Sequence, residues 1–203
     1  EAIDPVRGIT NLSSGKMGFA IARAAREAGA KVTLVAGPVH LPTPRGVQRV
    51  DVRSALDMQA AVACHVDAAT VFVATAAVAD WRVADVAEQK IKKEGSGQLP
   101  HLNFVENPDI LAGVAQSARA QSGALYCVGF AAESHELLNH TIAKRERKGV
   151  PLLVGNIGPA TFGLDDNALL LVDAQGSQAL PHASKLVLAR QLVAEIARRL
   201  RPS

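Results

Sequence analysis

Short runs of apolar residues alternate with amphipathic segments along most of this chain. The short runs span four to six residues and are rich in Val and Leu, which is typical of buried strands. The pattern predicts strands at 31–36, 47–52, 70–75, 102–105, 125–130 and 151–155, and helices at 16–28, 54–66, 108–118, 135–148 and 184–201. This alternation predicts an α/β fold with a single doubly wound, mostly parallel, Rossmann-like sheet, helices on both faces and ligands at the carboxyl ends of the strands.

Individual residues mark the ends of several elements. Gly29 is expected to end the first helix in the left-handed conformation, and Asn107 and Pro108 are expected to be the N-cap and first residue of a later helix. Runs at 168–172 and 178–180 predict a C-terminal β-hairpin. Because no internal repeat or linker divides the chain, we expect residues 1–203 to form one domain.

One long stretch, 76–98, has neither a helical nor a strand period. Long irregular insertions in compact α/β domains usually carry function, although a solvated surface loop is the alternative. Lys90, Lys92 and Lys93 crowd the far end of this insertion. They suit either a solvated face or a segment that closes over a polyanion.

Composition narrows the class of protein. A chain of 203 residues with 48% hydrophobic content can bury a substantial core, and it has no apolar run near the roughly 20 residues needed to cross a bilayer. We therefore expect a soluble protein with no membrane partner. The formal charge is only +3 and aromatic residues make up 3%, so a nucleic-acid partner is not expected. Cys64 and Cys127 lack C-x-x-C spacing, and two buried, reduced thiols of a cytoplasmic protein are expected.

The segment 11–18, N-L-S-S-G-K-M-G, directly precedes the first apolar-periodic helix. Small and hydroxylated residues ahead of a helix leave backbone N–H groups free, with the positive end of the helix dipole behind them. This favours an anion-binding loop. The alternative is that Ser13 and Ser14 cap the helix while Gly15 and Gly18 only permit close packing. The spacing matches neither G-x-x-x-x-G-K-[ST] nor G-x-G-x-x-G.

Lys144 and Lys148 stand four residues apart and therefore share one face of a predicted helix. Like charges in this arrangement repel one another mildly, and an anionic ligand would relieve that repulsion. Two solvated surface lysines are the alternative.

Five motifs, taken in order, resemble one family over nearly the whole chain. They read D-P-V-R-G-I-T-N-L-S-S-G-K-M-G, A-A-V-A-D-W, K-I-K-K, N-P-D-I-L and G-F-A-A-E-S, and together they resemble phosphopantothenoylcysteine synthetase. In many bacteria this ligase is the C-terminal half of a protein fused to a flavin-dependent decarboxylase. The resemblance implies that the family's first strand and the decarboxylase lie outside residues 1–203, so no flavin is expected in this chain.

The resemblance also implies a reaction. Family members of the bacterial type join phosphopantothenate to cysteine with CTP, through an acyl-cytidylate, and release pyrophosphate and CMP. Mg²⁺ on the CTP phosphates is expected as cofactor. The family's dimer, in which the lysine-rich insertion reaches the partner's site, makes a homodimer the expected assembly.

Site residues follow from the matching motif positions. The residues that match CTP-binding positions of the family are Ala74, Thr75, Ala76, Asp80, Lys90, Pro108, Asp109, Ile110, Leu111, Phe130, Lys144 and Lys148. Asp80 is expected either to accept from the cytosine amino group or to help hold Mg²⁺. Lys90 is expected to contact phosphate and, with Asn11, to be catalytic. Asn11 matches the asparagine that handles the acyl-cytidylate, and Ser13, Ser14 and Gly15 are the expected substrate-binding neighbours.

Two other functions fit the sequence less well. A nicotinamide-dependent reductase would need an acidic residue after its second strand, and A-G-P at 36–38 stands at the corresponding position here. The chain's tyrosine, Tyr126, lies inside a predicted strand. A non-catalytic nucleotide-binding module is the second alternative. One loop also departs from the resemblance, since residues 155–158 read G-N-I-G where the family more often has A-N-D-V, although Asn156 is kept.

Overall fold

A computed structural model describes residues 1–92, 101–133, 136–157 and 163–200. The expectations for Lys93, His135, Gly158 and Arg201 concern positions outside these ranges. The described helices are α1 (Lys16–Glu27), α2 (Ala55–Val66), α3 (Ile110–Ala115), α4 (Ala118–Gln121), α5 (Leu137–Lys148) and α6 (Lys185–Leu200). The described strands are β1 (Thr33–Ala36), β2 (Gln48–Asp51), β3 (Val71–Ala74), β4 (Trp81–Val83), β5 (Phe104–Glu106), β6 (Tyr126–Glu133), β7 (Leu152–Ile157), β8 (Asp166–Asp173) and β9 (Gly176–Ser184).

The main sheet has five strands in the order β3-β6-β7-β8-β9. The first three are parallel, whereas β8 and β9 form the predicted hairpin and run antiparallel. Ala74 at the end of β3 pairs with Gly129, while β6 continues to Glu133 beside Ile157 of β7. The carboxyl ends of β6 and β7 therefore extend beyond the end of β3 and form one wall at this edge of the sheet.

Helices cover both faces of this sheet, as predicted. On one face α1 and α6 bury an apolar layer, which contains Ile21, Val128, Leu152, Val154, Leu188 and Leu192. On the opposite face Ala115 of α3 packs in a second layer with Cys127 and Leu153. Strand residues that alternate along β6 and β7 face opposite layers, because successive side chains of a strand point to opposite sides. Both faces therefore require apolar residues, which explains the continuous apolar runs.

The prediction of a single sheet is wrong for the described residues. β1 and β2 pair in parallel as a separate two-stranded sheet, and β4 pairs with β5 in an antiparallel one. Periodicity indicates that a segment is extended, but not which neighbour it pairs with. The three residues of β4 lie in the aperiodic insertion and are too few for a period to be recognised.

The predicted cap of α3 is also wrong. Asp109, not Asn107, is the N-cap, and its Oδ1 accepts a hydrogen bond from Ala112 N at 3.0 Å. Asn107 is occupied elsewhere, because its Nδ2 donates to Ala79 O. The helix also ends early, at Ala115, and Ser117 caps the separate helix α4.

The two cysteines occupy different environments. Cys127 is buried, and its burial raises the pKa of the thiol. Cys64 is exposed on α2, so the expectation that both thiols are buried is wrong for this residue. Among the described helices, none is long and apolar enough to cross a membrane.

Substituting Gly155 with alanine is expected to destabilise the domain by about 1–3 kcal/mol. An added methyl group would overlap the Oγ1 atom of Thr141 and lie 3.0 Å from Leu137 Cδ1. Thr141 is fully buried and its hydroxyl donates to Leu137 O, so it has little room to move. Urea unfolding measures the change. Gly113→Ala is the control, because nothing lies within 4 Å of the added atom there; an equal loss in both variants would contradict the packing argument.

Candidate functional site

The loop before α1 has the geometry that an anion-binding helix start requires. Gly15 is the N-cap in the left-handed region, with φ of 74°, and it has no side chain with which to cap the helix. Neither Ser13 nor Ser14 occupies the cap position, which removes the alternative in which these serines serve as caps. Lys16 turns away from the loop, since its Nζ donates to Asp165 Oδ1 at 2.8 Å. Backbone N–H groups and small side chains therefore dominate the loop.

This loop lies against the carboxyl end of β3. A methyl group on Gly18 would approach Thr75 Oγ1 to 2.7 Å, so α1 passes directly over the residue that follows β3. The Nδ2 of Asn11 donates to Ala77 O at 2.7 Å. The structure therefore brings Asn11 together with the segment that starts at Ala74, although these regions are more than sixty residues apart in sequence.

A second asparagine secures the other end of that segment. Asn107 Nδ2 donates to Ala79 O at 2.9 Å, and Asn107 N donates to Asp80 O at 2.8 Å. These bonds place Asp80, with an exposed carboxylate, beside the Pro108–Asp109 turn that starts α3. The loop after β3 is thus held by one asparagine from each side.

The start of α3 and Phe130 lie on opposite faces of β6. A methyl group on Gly129 would approach Leu111 Cδ2 to 2.6 Å, so Leu111 packs closely over that strand position. Phe130, the next residue, packs into the layer beneath α1 and α6. Ile110 is the first residue of α3 and follows its Asp109 cap.

Both lysines of α5 are paired with carboxylates. Lys148 Nζ forms an ion pair with Asp109, and Lys144 Nζ lies 3.5 Å from Glu133 Oε1. Partial burial works against the ionisation of Asp109, but Lys148 and the Ala112 N–H outweigh it and lower the pKa of this carboxyl. The alternative of two freely solvated lysines is therefore wrong. An incoming anion would have to compete with Asp109 and Glu133 for these cations.

Lys90 lies next to a backbone segment that is bound to the amino-terminal turn. Its side chain is exposed, and the adjacent Ile91 is bound to the amino-terminal turn, where Ile91 N donates to Asp4 Oδ2 and Ile91 O accepts from Arg7 Nη2. Arg7 lies four residues before Asn11, so this turn connects the two predicted catalytic residues.

Sequence reasoning missed the roles of several residues. These are Asp4, Arg7, Asn107 and Glu133. A signal for the first two was present, because D-P-V-R places a proline after an aspartate, a spacing typical of turns in which the carboxylate accepts backbone N–H bonds. Glu133 gave no local signal, since its lysine partner comes from the following helix.

A cavity of about 570 Å³, lined by Tyr126, Arg145 and Pro151 among others, lies away from this edge, at the opposite, amino-terminal ends of β6 and β7. Within the described part of the chain no three His, Cys, Asp or Glu side chains converge on a point that could hold a metal ion. The candidate site is an open surface at the carboxyl edge, formed by loops and helix starts.

An uncapped helix start and polar side chains at the carboxyl end of a parallel strand are features with which many α/β domains hold phosphate-bearing ligands. The model of the family described as DNA/pantothenate metabolism flavoprotein C-terminal domain matches residues 1–200, and the chain belongs to that family. The resemblance drawn from the five motifs is thereby confirmed.

Relatives and solved structures agree with this assignment. The chain is 48% identical over 192 residues to the coenzyme A biosynthesis bifunctional protein CoaBC of Vibrio cholerae, a match that covers 93% of this chain and 47% of the relative. The corresponding protein of Escherichia coli strain K12 is 48% identical over 203 residues, with 98% and 49% covered. The chain thus spans about half the length of these relatives.

Among solved structures, the C-terminal domain of a CoaBC protein superimposes with a TM-score of 0.81 at 34% identity, covering 98% of this chain and 90% of that one. A Cab2 mutant in complex with phosphopantothenate-cysteine has a TM-score of 0.79 at 16% identity, covering 98% and 82%. At that identity the second match shows a shared fold.

Proposed function

We propose that this chain joins phosphopantothenate to cysteine in a CTP-dependent ligation that serves coenzyme A biosynthesis. The observation that carries this proposal is the convergence of the Asn11 loop, the segment after β3 and the start of α3, which Asn11 and Asn107 tie together. The relatives are named as coenzyme A biosynthesis proteins, and the Cab2 structure holds phosphopantothenate-cysteine. Both names support this substrate class.

The reaction has two steps. A carboxylate oxygen of phosphopantothenate attacks the α-phosphorus of CTP, and the bond to the β-phosphate breaks to release pyrophosphate. The cysteine amine then attacks the acyl carbon, CMP leaves, and the amine gives up a proton. Activation is needed because the leaving group of a free carboxylate would be oxide, whereas CMP is a far better one.

The nucleotide is assigned to the edge formed by residues 74–80 and the start of α3. Asp80 is exposed there, next to backbone groups that can read a base edge. Lys144 and Lys148 supply cations from α5, and each would exchange its carboxylate partner for a phosphate oxygen. Lys90 adds a cation from the insertion.

The residues present fit a magnesium ion that arrives with the nucleotide. Mg²⁺ is usually held by one or two carboxylates together with substrate phosphates and waters, and not by an all-protein cage. Asp80, an exposed carboxylate at the edge, meets that need without a preformed cluster. The ion would neutralise phosphate charge, and residues 11–15 would orient the acyl substrate.

A homodimer is part of the proposal, and the β4–β5 ribbon supports it. Trp81 and Phe104 are 57% and 52% exposed on this two-stranded sheet, and Val86 beside it is 50% exposed. Large apolar side chains exposed together are typical of an interaction surface. Sedimentation velocity tests this assignment, and a monomer at micromolar concentration would contradict it.

Turnover should require CTP and be lost when ATP replaces it. Cytosine and adenine differ in the donor and acceptor pattern that Asp80 and the backbone of residues 74–80 would read. Product formation from phosphopantothenate, cysteine and each nucleotide measures the preference, and equal rates with both would contradict it.

Asp80→Asn separates the two roles left open for this residue. Weaker discrimination indicates contact with the base, whereas a raised Mg²⁺ requirement indicates contact with the metal.

A further inference from the structure

A buried carboxylate, Asp4, links the amino-terminal turn to the segment that carries Lys90. Asp4 is 2% exposed. Its Oδ1 accepts from Val6 N at 2.9 Å and Arg7 N at 2.8 Å, and its Oδ2 accepts from Arg7 Nε at 2.9 Å and Nη2 at 2.5 Å. Oδ2 also accepts from Ile91 N at 3.2 Å, a residue 87 positions away. One side chain thus holds a local turn and a distant backbone segment together.

The segment before Ile91 is fastened at further points. Arg7 Nη2 donates to Ile91 O at 2.8 Å, so both backbone groups of Ile91 are bound to the Asp4–Arg7 pair. Ala87 N donates to Ile3 O at 3.1 Å. Lys90 lies between these attachments and is itself exposed. Its location therefore depends on the backbone on either side of it.

We propose that Asp4 is a positioning residue for Lys90, fixing the backbone from which this lysine reaches the nucleotide phosphates. The inference rests on the proposed function above, to which it adds a residue remote from the reacting atoms. Positioning matters because a displacement of about 1 Å in a catalytic group costs on the order of 10²-fold in rate.

The charge of Asp4 is essential to this role. A carboxylate only accepts hydrogen bonds, and every group that faces it is a donor. The Arg7 guanidinium, together with the backbone N–H groups, holds the pKa of Asp4 well below its usual range in spite of burial. An asparagine of nearly the same shape would direct its own N–H₂ either at Val6 N and Arg7 N or at the Arg7 guanidinium and Ile91 N. Asp4→Asn therefore sets donor against donor on one side of the attachment and removes the negative charge, with little change in volume.

A double-mutant cycle tests whether Asp4 acts through Lys90. Pyrophosphate release from CTP, Mg²⁺ and phosphopantothenate is measured in the wild type, Asp4→Asn, Lys90→Gln and the double variant. We expect Asp4→Asn to lose roughly 10²-fold in the wild-type background and almost nothing in the Lys90→Gln background. Equal losses in both backgrounds would overturn the proposal, because they would show that Asp4 acts independently of Lys90.

Two further variants protect the test against a general loss of folding. Asp173 also accepts hydrogen bonds from two backbone N–H groups and one arginine, but in the β8–β9 turn. Asp173→Asn is therefore the matched control and should leave pyrophosphate release unchanged. If Asp4→Asn unfolds, Ile91→Pro replaces it in the cycle. That change removes the Ile91 N–H and keeps the Asp4–Arg7 pair, and it should give the same non-additive loss; an additive loss would overturn the proposal.

Hydrogen exchange separates this inference from the proposed function. The amide of Ile91 should exchange roughly tenfold faster in Asp4→Asn than in the wild type or in Asp173→Asn, because its local opening becomes easier. A wild type that releases no pyrophosphate would refute the proposed function, and exchange would then decide the anchoring by itself. Unchanged protection of the amides of residues 87–91 from exchange in Asp4→Asn would overturn the inference that Asp4 anchors this segment.

Discussion

Lys90→Gln is expected to abolish the pyrophosphate burst, with a loss on the order of 10²–10³ in the rate of the first step. In that step the carboxylate attacks the α-phosphate and negative charge accumulates on the phosphates. A cation aimed at that charge stabilises the transition state more than the ground state, and neutral glutamine cannot replace it. Quenched-flow analysis with labelled CTP and phosphopantothenate measures the burst.

Lys92→Gln is the matched control for Lys90. Lys92 is also exposed and lies two residues further along the same segment, beyond the Ile91 attachment. It should retain a burst within about twofold of the wild type if charge at one position, and not the general charge of the segment, is what matters. Equal losses in both variants would assign the effect to the overall positive charge.

Asn11→Asp is expected to release pyrophosphate but to accumulate the acyl-cytidylate. In the second step cysteine attacks the acyl carbon, and the growing oxyanion needs a nearby donor. Removal of such a donor typically costs on the order of 10²–10³ in rate. The structure adds a second reason, because Asn11 Nδ2 donates to Ala77 O at 2.7 Å and a carboxylate there would repel that carbonyl. The loop after β3 would then shift as the donor is lost.

Chromatography of quenched Asn11→Asp reactions should show the labelled intermediate persisting after cysteine is added. Asn103→Asp introduces the same charge at an exposed asparagine outside the site and should behave as the wild type. A variant Asn11→Asp that abolishes the burst, together with a Lys90→Gln that keeps it, would reverse the roles assigned to these two residues.

Local pattern predicted the long elements well. The helix predicted at 16–28 is Lys16–Glu27, and the one predicted at 184–201 is Lys185–Leu200 in the described range. Each helix buries one face in the same apolar layer, so its apolar residues recur in the sequence with the helical period. Strand pairing was not predictable in this way. The separation of β1–β2 from the five-stranded sheet depends on contacts between segments far apart in the chain.

The site shows the same division. The helix start after the Asn11 loop was predictable because small residues precede an amphipathic segment, a local signal, and the structure confirms that no side chain caps it. Asn107 and Asp109 match the same capping signal two residues apart, and only the tertiary bond from Asn107 to Ala79 O decides between them. The pairing of Lys148 with Asp109 spans 39 residues and left no trace in local spacing. The sequence therefore pointed to these polar and charged side chains, and the structure shows which hydrogen-bond and ion-pair partners they have.

Pyrophosphate release before cysteine is added is the most direct test of the proposed two-step ligation. The chain is mixed with labelled CTP, Mg²⁺ and phosphopantothenate, and pyrophosphate and acyl-cytidylate are followed by quenched flow. We expect a rapid burst that approaches one pyrophosphate per site, with matching intermediate that disappears when cysteine is supplied. An absolute requirement for cysteine in that burst would contradict the two-step mechanism, and no release from CTP under any of these conditions would contradict the ligase function itself.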